Sequence, residues 1–106
     1  MIYEMRVYEH VEGRADAVRA RFEKEVVPRF PKHGIELVGA FVAGDDERLT
    51  YLTRFLSEEA RKAAWASFAS DPEWKLAKSA SETDGPLIAR QISTVLNPAI
   101  SGLPLG

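Results

Sequence analysis

The stretch IELVGAFVAGDDERLTYLTRFL, residues 35–56, decides the fold. Its two ends, 35–43 and 48–56, are rich in β-branched, aromatic and aliphatic residues, which favour strands. Between them lies Gly44-Asp45-Asp46-Glu47, which has the composition of a turn. The stretch therefore predicts a β-hairpin of two antiparallel strands.

On the N-terminal side of this hairpin, the sequence predicts one strand and one helix. Residues 2–9 alternate as a strand does, whereas residues 15–30 place apolar side chains at three- and four-residue steps, as a helix does. Pro28 and Pro31 restrict the last turns of the helix, and Gly34 is a typical helix end. We therefore expect the helix to close by Gly34.

On the C-terminal side, two helix starts precede a last strand. Ser57-Glu58-Glu59 and Asp71-Pro72-Glu73 are both typical of a helix N-terminus. Residues 79–85 are polar and indicate a loop, and residues 89–96 are β-branched enough for a fourth strand. The whole order predicts an α+β, ferredoxin-like βαββαβ fold, in which two helices lie on one face of a four-stranded antiparallel sheet.

Length and composition indicate one small globular unit. The 106 residues are 45% hydrophobic and 28% charged, which suits a single core. We expect one domain over residues 1–98 and a tail over residues 99–106 that packs on the domain or on a dimer partner. The net charge is −2 and the basic residues are scattered among acids, so we expect no nucleic-acid partner.

Cysteine usage and apolar runs bear on location. The chain has no cysteine, and charges stand near its start where a signal peptide would be apolar. No apolar run approaches the roughly 18 residues of a membrane span. We therefore expect a cytoplasmic protein without a membrane span.

Both faces of the predicted hairpin strands are apolar. Leu37 and Phe41 alternate with Val38 and Val42, yet two helices cover only one face of a sheet. The uncovered face would be an apolar patch of the size that marks an interaction surface. We therefore predict a two-fold homodimer in which the sheet faces meet.

Three segments resemble the NIPSNAP family: residues 2–8 (IYEMRVY), residues 32–39 (KHGIELVG), and Trp65 together with residues 71–74 (DPEW). The resemblance covers about residues 2–98 and implies the dimeric α/β-barrel version of the ferredoxin-like fold. It thus implies the same dimer that the strand pattern predicts independently. The family has no single established activity, so the resemblance implies no reaction and no cofactor.

A polar cluster is predicted on the first strand. Glu4, Arg6 and Tyr8 share one face of this strand, and we place that face away from the helices, in the dimer interior. Arg6 would clamp an anionic ligand and Tyr8 would donate a hydrogen bond or a proton, with Arg54 and Arg90 joining from the neighbouring strands. The alternative is an internal ion pair that fixes the register of the dimer.

A second candidate site is aromatic. Trp65, Phe68 and Trp74 fall in the second helical region, and this fold holds ligands between its helices and its sheet. These side chains either wall an apolar pocket or form ordinary core.

The two histidines, His10 and His33, each stand at the end of an element. We expect no metal site, and haem binding would need one of them beside an open pocket. The signatures HExxH, GxGxxG and GxSxG are missing from the sequence.

We therefore expect a small homodimeric protein of unknown biochemical activity that binds a small molecule or a partner. The alternative is a cofactor-free enzyme of the monooxygenase or isomerase type, acting on a small aromatic or carbonyl compound in the helix–sheet pocket. Catalysis requires a titratable side chain beside a cavity of roughly 300 Å³ or more, so the structure of that pocket bears on the choice.

Overall fold

A computed structural model describes residues 1–105; residue 106, the last of the predicted tail, lies outside the described residues. Four strands and three helices follow one another as β1 (Ile2–His10), α1 (Ala15–Arg21), β2 (Glu36–Val42), β3 (Leu49–Phe55), α2 (Glu58–Ala69), α3 (Pro72–Ser81) and β4 (Ile88–Leu96). The predicted order is confirmed, and α3 is the helical segment expected after Asp71. The loop predicted over 79–85 is wrong at its start, because no glycine or proline stops α3 before Ser81.

The four strands form one antiparallel sheet in the order β2-β3-β1-β4, so β1 is central as the ferredoxin-like fold requires. Arg6 of β1 lies opposite Tyr51 of β3 on one side and Ser93 of β4 on the other. Residues that lie directly opposite each other in an antiparallel pair point to the same face of the sheet. The register therefore assigns each strand residue to a face.

The helical region after α1 changes its winding. A π-helical turn, Phe22–Val26, follows α1, and 3₁₀ turns at Val27–Arg29 and Pro31–His33 complete the region. Its buried side chains recur every four residues, at Val18, Phe22, Val26 and Phe30. Four residues exceed the 3.6 of an α-helical turn, and the wider π turn keeps these side chains directed at the sheet. Gly34 ends the region with φ +76, as predicted.

The helices cover only one face of the sheet. Alternate residues of β3 on that face are buried, namely Leu49, Tyr51, Thr53 and Phe55. The other face, here called the open face, carries Tyr3, Met5, Val7, Phe41, Leu52 and Ile92. Phe41 is 63% exposed there. Tyr3 and Leu52 line a cavity of about 270 Å³ together with Ile100 and Leu103 of the C-terminal segment.

Within residues 1–105, no helix is long and apolar enough to cross a membrane.

Candidate functional site

The face of β1 that carries Glu4, Arg6 and Tyr8 points toward the helices, so the prediction that it lies away from them is wrong. Trp65 Nε1 and Arg61 Nη1, both on α2, donate hydrogen bonds to the Glu4 carboxylate at 2.6 Å and 3.2 Å. Alternation in a strand separates two faces but does not reveal which one the helices cover. Here the charged face is the covered one, because its charges find partners under α2.

Glu4 is fully buried and is the centre of this cluster. Arg61 and Trp65 donate to its Oε1, while Arg6 Nε, at 2.9 Å, and Ser93 Oγ donate to its Oε2. Burial raises the pKa of Glu4, but the hydrogen bonds from Ser93, Arg6 and Trp65 and the charge of Arg6 bring this pKa below its ordinary value of 4.5. The carboxylate is therefore ionised, and Glu4 and Arg6 form an internal ion pair. That such a pair fixes the register of a dimer stays a prediction.

A cleft of about 570 Å³ lies between the sheet and the helices, beside this cluster. Arg6 and Tyr8 line it, and so do Trp65, Phe68 and Trp74, the three predicted pocket residues. Phe68 lies 5.2 Å from Trp74 and 6.1 Å from Trp65 between ring centroids, so the aromatic group forms a continuous wall. The volume of the cleft is within the range of small-molecule binding sites.

Arg6 joins the buried cluster to the cleft. Its guanidinium carbon lies 3.5 Å from the ring centroid of Trp65, and its side chain is 15% exposed. The ion pair with Glu4 and the stacking on Trp65 fix the plane of the guanidinium. A cation is thus held rigidly at the wall of the cleft.

Tyr8 and Tyr51 form a hydroxyl pair behind the cleft. Their hydroxyl oxygens lie 2.7 Å apart, and Tyr51 is fully buried whereas Tyr8 lines the cleft. Burial, with the neighbouring Tyr8, raises the pKa of Tyr51 well above its usual value, although Arg6 opposes this. Tyr51 therefore stays protonated behind the Tyr8 side chain, which lines the cleft.

The structure does not bring Arg54 and Arg90 to the Glu4 cluster. Arg54 pairs with Glu36, which lies opposite it on the open face. Arg90 lies opposite Glu9 and has its Nε 3.6 Å from that carboxylate; it is mostly exposed, although it also lines the cleft. The pairing register of the strands decides where Arg54 and Arg90 lie, and this register could not be predicted from the single sequence.

Sequence reasoning missed several members of the site. Arg61 was not among the predicted site residues, yet it lies four residues before Trp65 and shares its face of α2. That spacing was the available signal. Ser93 gives no comparable signal, because only the pairing of β4 with β1 places it beside Glu4.

A second polar group joins the helices to each other, away from the cleft. His33 Nδ1 lies 2.6 Å from Ser67 Oγ, and His33 Nε2 lies 2.7 Å from Asp71 Oδ2. Asp71 also accepts from the amides of Glu73 and Trp74. Hydrogen bonds from Lys32 and His33 lower the pKa of Asp71 below its ordinary value of 3.8.

The order Ser67–His33–Asp71 resembles a hydrolase triad, but its setting is structural. Ser67 lies inside α2, where the neighbouring amides are used by the helix and leave no oxyanion hole. Both ring nitrogens of His33 are already hydrogen-bonded. Neither His10 nor His33 lines the cleft, and within residues 1–105 no group of three or more metal-binding side chains comes together.

The chain is similar to a known protein family and to several solved structures. The NIPSNAP family profile matches residues 3–101. The structure of a NIPSNAP family protein of unknown function from Agrobacterium tumefaciens superposes with a TM-score of 0.83 at 28% identity, covering 100% of this chain and 94% of that one. An uncharacterized NIPSNAP-like domain protein from Burkholderia xenovorans gives a TM-score of 0.80 at 24% identity, covering 97% and 89%. No curated protein matches the chain.

A more distant structure shares the fold alone. It is a putative antibiotic biosynthesis monooxygenase from Bacteroides thetaiotaomicron, with a TM-score of 0.69 at 18% identity, covering 96% of this chain and 92% of that one. The ferredoxin-like fold is confirmed.

Proposed function

The chain belongs to the NIPSNAP family, and we propose that it is a homodimeric protein that binds a small molecule in the cleft between its sheet and its helices. The observation that carries this proposal is the cleft itself, which combines about 570 Å³ of space with an aromatic wall and a rigid cation. A chain that needed only a packed core would fill this space with side chains. A ligand would gain both apolar contacts and one oriented charge.

The open face supports the dimer. Met5, Val7, Leu52 and Ile92 are only half-buried in the single chain, and Phe41 is mostly exposed. Adjacent apolar side chains of this kind mark a surface that another protein covers. A second copy of the same sheet face is the simplest cover, since two-fold dimers are the commonest oligomers.

We also propose that the domain spans residues 1–98 and that the tail from residue 99 serves the dimer. Ile100 and Leu103 are 65% and 57% exposed, although they border the open face beside Tyr3 and Leu52. Contact with the second copy would bury these side chains.

Ligand binding is testable with two dyes, anilinonaphthalene sulfonate and the uncharged phenylnaphthylamine, which share a ring system. Both tryptophans of the chain, Trp65 and Trp74, line the cleft, so a dye bound there should quench them. Ala69 also lines the cleft, whereas Ala66 is an exposed residue of α2 outside it. We expect Ala69→Phe to block dye binding and Ala66→Phe to leave it intact. Absent quenching, or quenching that Ala69→Phe leaves unchanged, would overturn the proposal.

A cofactor-free enzyme of the monooxygenase or isomerase type is the second candidate, because Tyr8 presents a hydroxyl in the cleft beside the cation of Arg6. A putative monooxygenase has the same fold, but this similarity concerns the fold and not the residues of the site. Tyr8→Phe would then abolish turnover of a small aromatic or carbonyl compound while dye binding persists. Unchanged turnover in Tyr8→Phe would exclude Tyr8 as the acid.

A further inference from the structure

The cleft is basic in a chain that is acidic overall. The protein has a net charge of −2. Arg6, Arg21, Lys78 and Arg90 nevertheless line the cleft, and the only carboxylate residue among the lining side chains of residues 1–105 is Glu82. Several cations around one concave site raise the local concentration of anions.

The pairing of these charges leaves some of them available. Arg21 Nη1 lies 2.8 Å from the Glu82 carboxylate, so these two side chains neutralise each other. Lys78 has no ion-pair partner within residues 1–105, and Arg90 is held only at 3.6 Å from Glu9. The positive charge in the cleft that has no close carboxylate is therefore chiefly that of Lys78 and Arg90, while Arg6 shares the single carboxylate of Glu4 with Arg61.

Arg6 has no carboxylate partner besides Glu4. Its Nε donates to Glu4, and within residues 1–105 no other acidic side chain pairs with its guanidinium, which also lies beside the Tyr51 hydroxyl. The guanidinium is nevertheless held in place by Glu4 and by the ring of Trp65. A planar, immobilised guanidinium whose terminal amino groups carry no carboxylate is suited to the oxygen pair of a carboxylate or a similar oxyanion.

The rest of the wall is aromatic. The rings that line the cleft are those of Tyr8, Phe22, Trp65, Phe68 and Trp74. Flat rings with few polar atoms favour an apolar, preferably aromatic, ligand body. The π-helical turn contributes Phe22 to this wall, and such turns often occur at functional sites.

We infer that the ligand of the cleft is an organic acid: an aromatic or otherwise apolar small molecule with one carboxylate or similar oxyanion, which Arg6 binds while the rings of Trp65 and Trp74 hold its body. This inference rests on the proposed function and deepens it. Lys78 and Arg90 attract the anion electrostatically, whereas Arg6 contacts it.

The two dyes test the charge requirement directly, because they differ only in the sulfonate group. Quenching of Trp65 and Trp74 fluorescence measures dye binding. Only the quenching that Ala69→Phe abolishes is counted as binding in the cleft. We expect anilinonaphthalene sulfonate to bind at least about tenfold more tightly than phenylnaphthylamine, as a charge-assisted hydrogen bond would provide. Added salt should weaken binding of the sulfonate and leave the uncharged dye unaffected.

Variants identify the residue responsible. Arg6→Gln should weaken sulfonate binding about tenfold and change phenylnaphthylamine binding less than about twofold. Arg54→Gln, on the open face, is the matched control and should change neither. If Arg6→Gln fails to fold, the double variant Glu4→Gln/Arg6→Gln removes both charges of the buried pair together. Lys78 is exposed, and Lys78→Gln should cause an independent, smaller loss of sulfonate affinity.

The outcomes separate this inference from the proposed function. Equal binding of both dyes, insensitive to Arg6→Gln and Lys78→Gln but blocked by Ala69→Phe, would overturn the organic-acid inference and keep the cleft as a binding site. Failure of both dyes to quench the tryptophans would overturn both. A sulfonate preference lost in Arg6→Gln and kept in Arg54→Gln would support both.

Discussion

The two faces of the sheet differ in a way that their side chains alone would not suggest. The helix-covered face of β1 carries a carboxylate and a guanidinium, Glu4 and Arg6, and Glu4 is fully buried. The open face of the same strand carries Met5 and Val7, which the single chain leaves half-buried. The charged face is thus covered by helices, and the apolar face is left uncovered by them.

This difference shows what allows a buried charge. The Glu4 carboxylate receives hydrogen bonds from four side chains, from the same strand, from β4 and from α2. A buried charge is tolerated only when its partners compensate for lost water. Because the partners come from three elements, only the tertiary structure supplies the full set of hydrogen bonds to Glu4.

The largest expected effect concerns Glu4. Glu4→Ala would leave Arg6 and the Trp65 N–H without their acceptor and should lower the free energy of unfolding by about 3–5 kcal/mol. Urea denaturation measures this change. Glu36→Ala, which removes an exposed carboxylate on the open face, is the control and should alter stability little. Comparable losses in both variants would contradict the contrast between the faces.

The next effect concerns the open face. Val7→Asp would place a charge in the middle of this surface, where the proposed dimer would bury it, and should convert the protein to a folded monomer. Sedimentation at micromolar concentration measures the state, and circular dichroism verifies folding. Ala66→Asp, on the exposed side of α2, should remain a dimer. A monomeric natural protein would refute the dimer outright.

Low pH should destabilise the fold by protonating two carboxylates that are hydrogen-bonded to the helical part of the molecule, Glu4 and Asp71. The pKa values of Glu4 and Asp71 are lower in the folded chain than their ordinary values of 4.5 and 3.8. Their ionised forms therefore stabilise the fold above those values, and this stabilisation is lost as the pH falls below about 4.5 toward the folded pKa values. Denaturation at a series of pH values should show a weaker acid dependence in Glu4→Gln and Asp71→Asn. An unchanged slope in both would argue against their role.

The smallest effect concerns the N-terminus of α2. Ser57 Oγ accepts a hydrogen bond from the Ala60 amide at 3.1 Å, and Ser57→Ala should cost about 1 kcal/mol of the free energy of unfolding. Sedimentation should be unchanged, because α2 does not contribute to the open face. Ser70→Ala, at the other end of α2, is a matched serine control with a smaller expected loss. Dissociation of the dimer in Ser57→Ala would show that the two faces are coupled.

Sequence patterns predicted the elements well and the assignment of faces poorly. The hairpin, the capped starts at Ser57 and Asp71 and the end at Gly34 follow from local chemistry, which acts within a few residues. The aromatic residues Trp65, Phe68 and Trp74 were predicted either to wall a pocket or to form ordinary core; all three line the cleft, and Phe68 also belongs to the buried core. The cytoplasmic location and the homodimer stay predictions.

The sequence by itself determined the order of elements and the ferredoxin-like fold, because periodicity, caps and turns are properties of neighbouring residues. The family was indicated by the resemblance of three segments, and the family profile over residues 3–101 confirms it. Only the tertiary structure decided which face of β1 lies under the helices, that Arg61 and Ser93 complete the Glu4 cluster, and that Arg54 lies outside it. These facts depend on strand register and on contacts between residues far apart in the chain. A one-residue shift of register moves every side chain of a strand to the other face of the sheet. The sequence of β1 alone does not show which of its faces the helices cover.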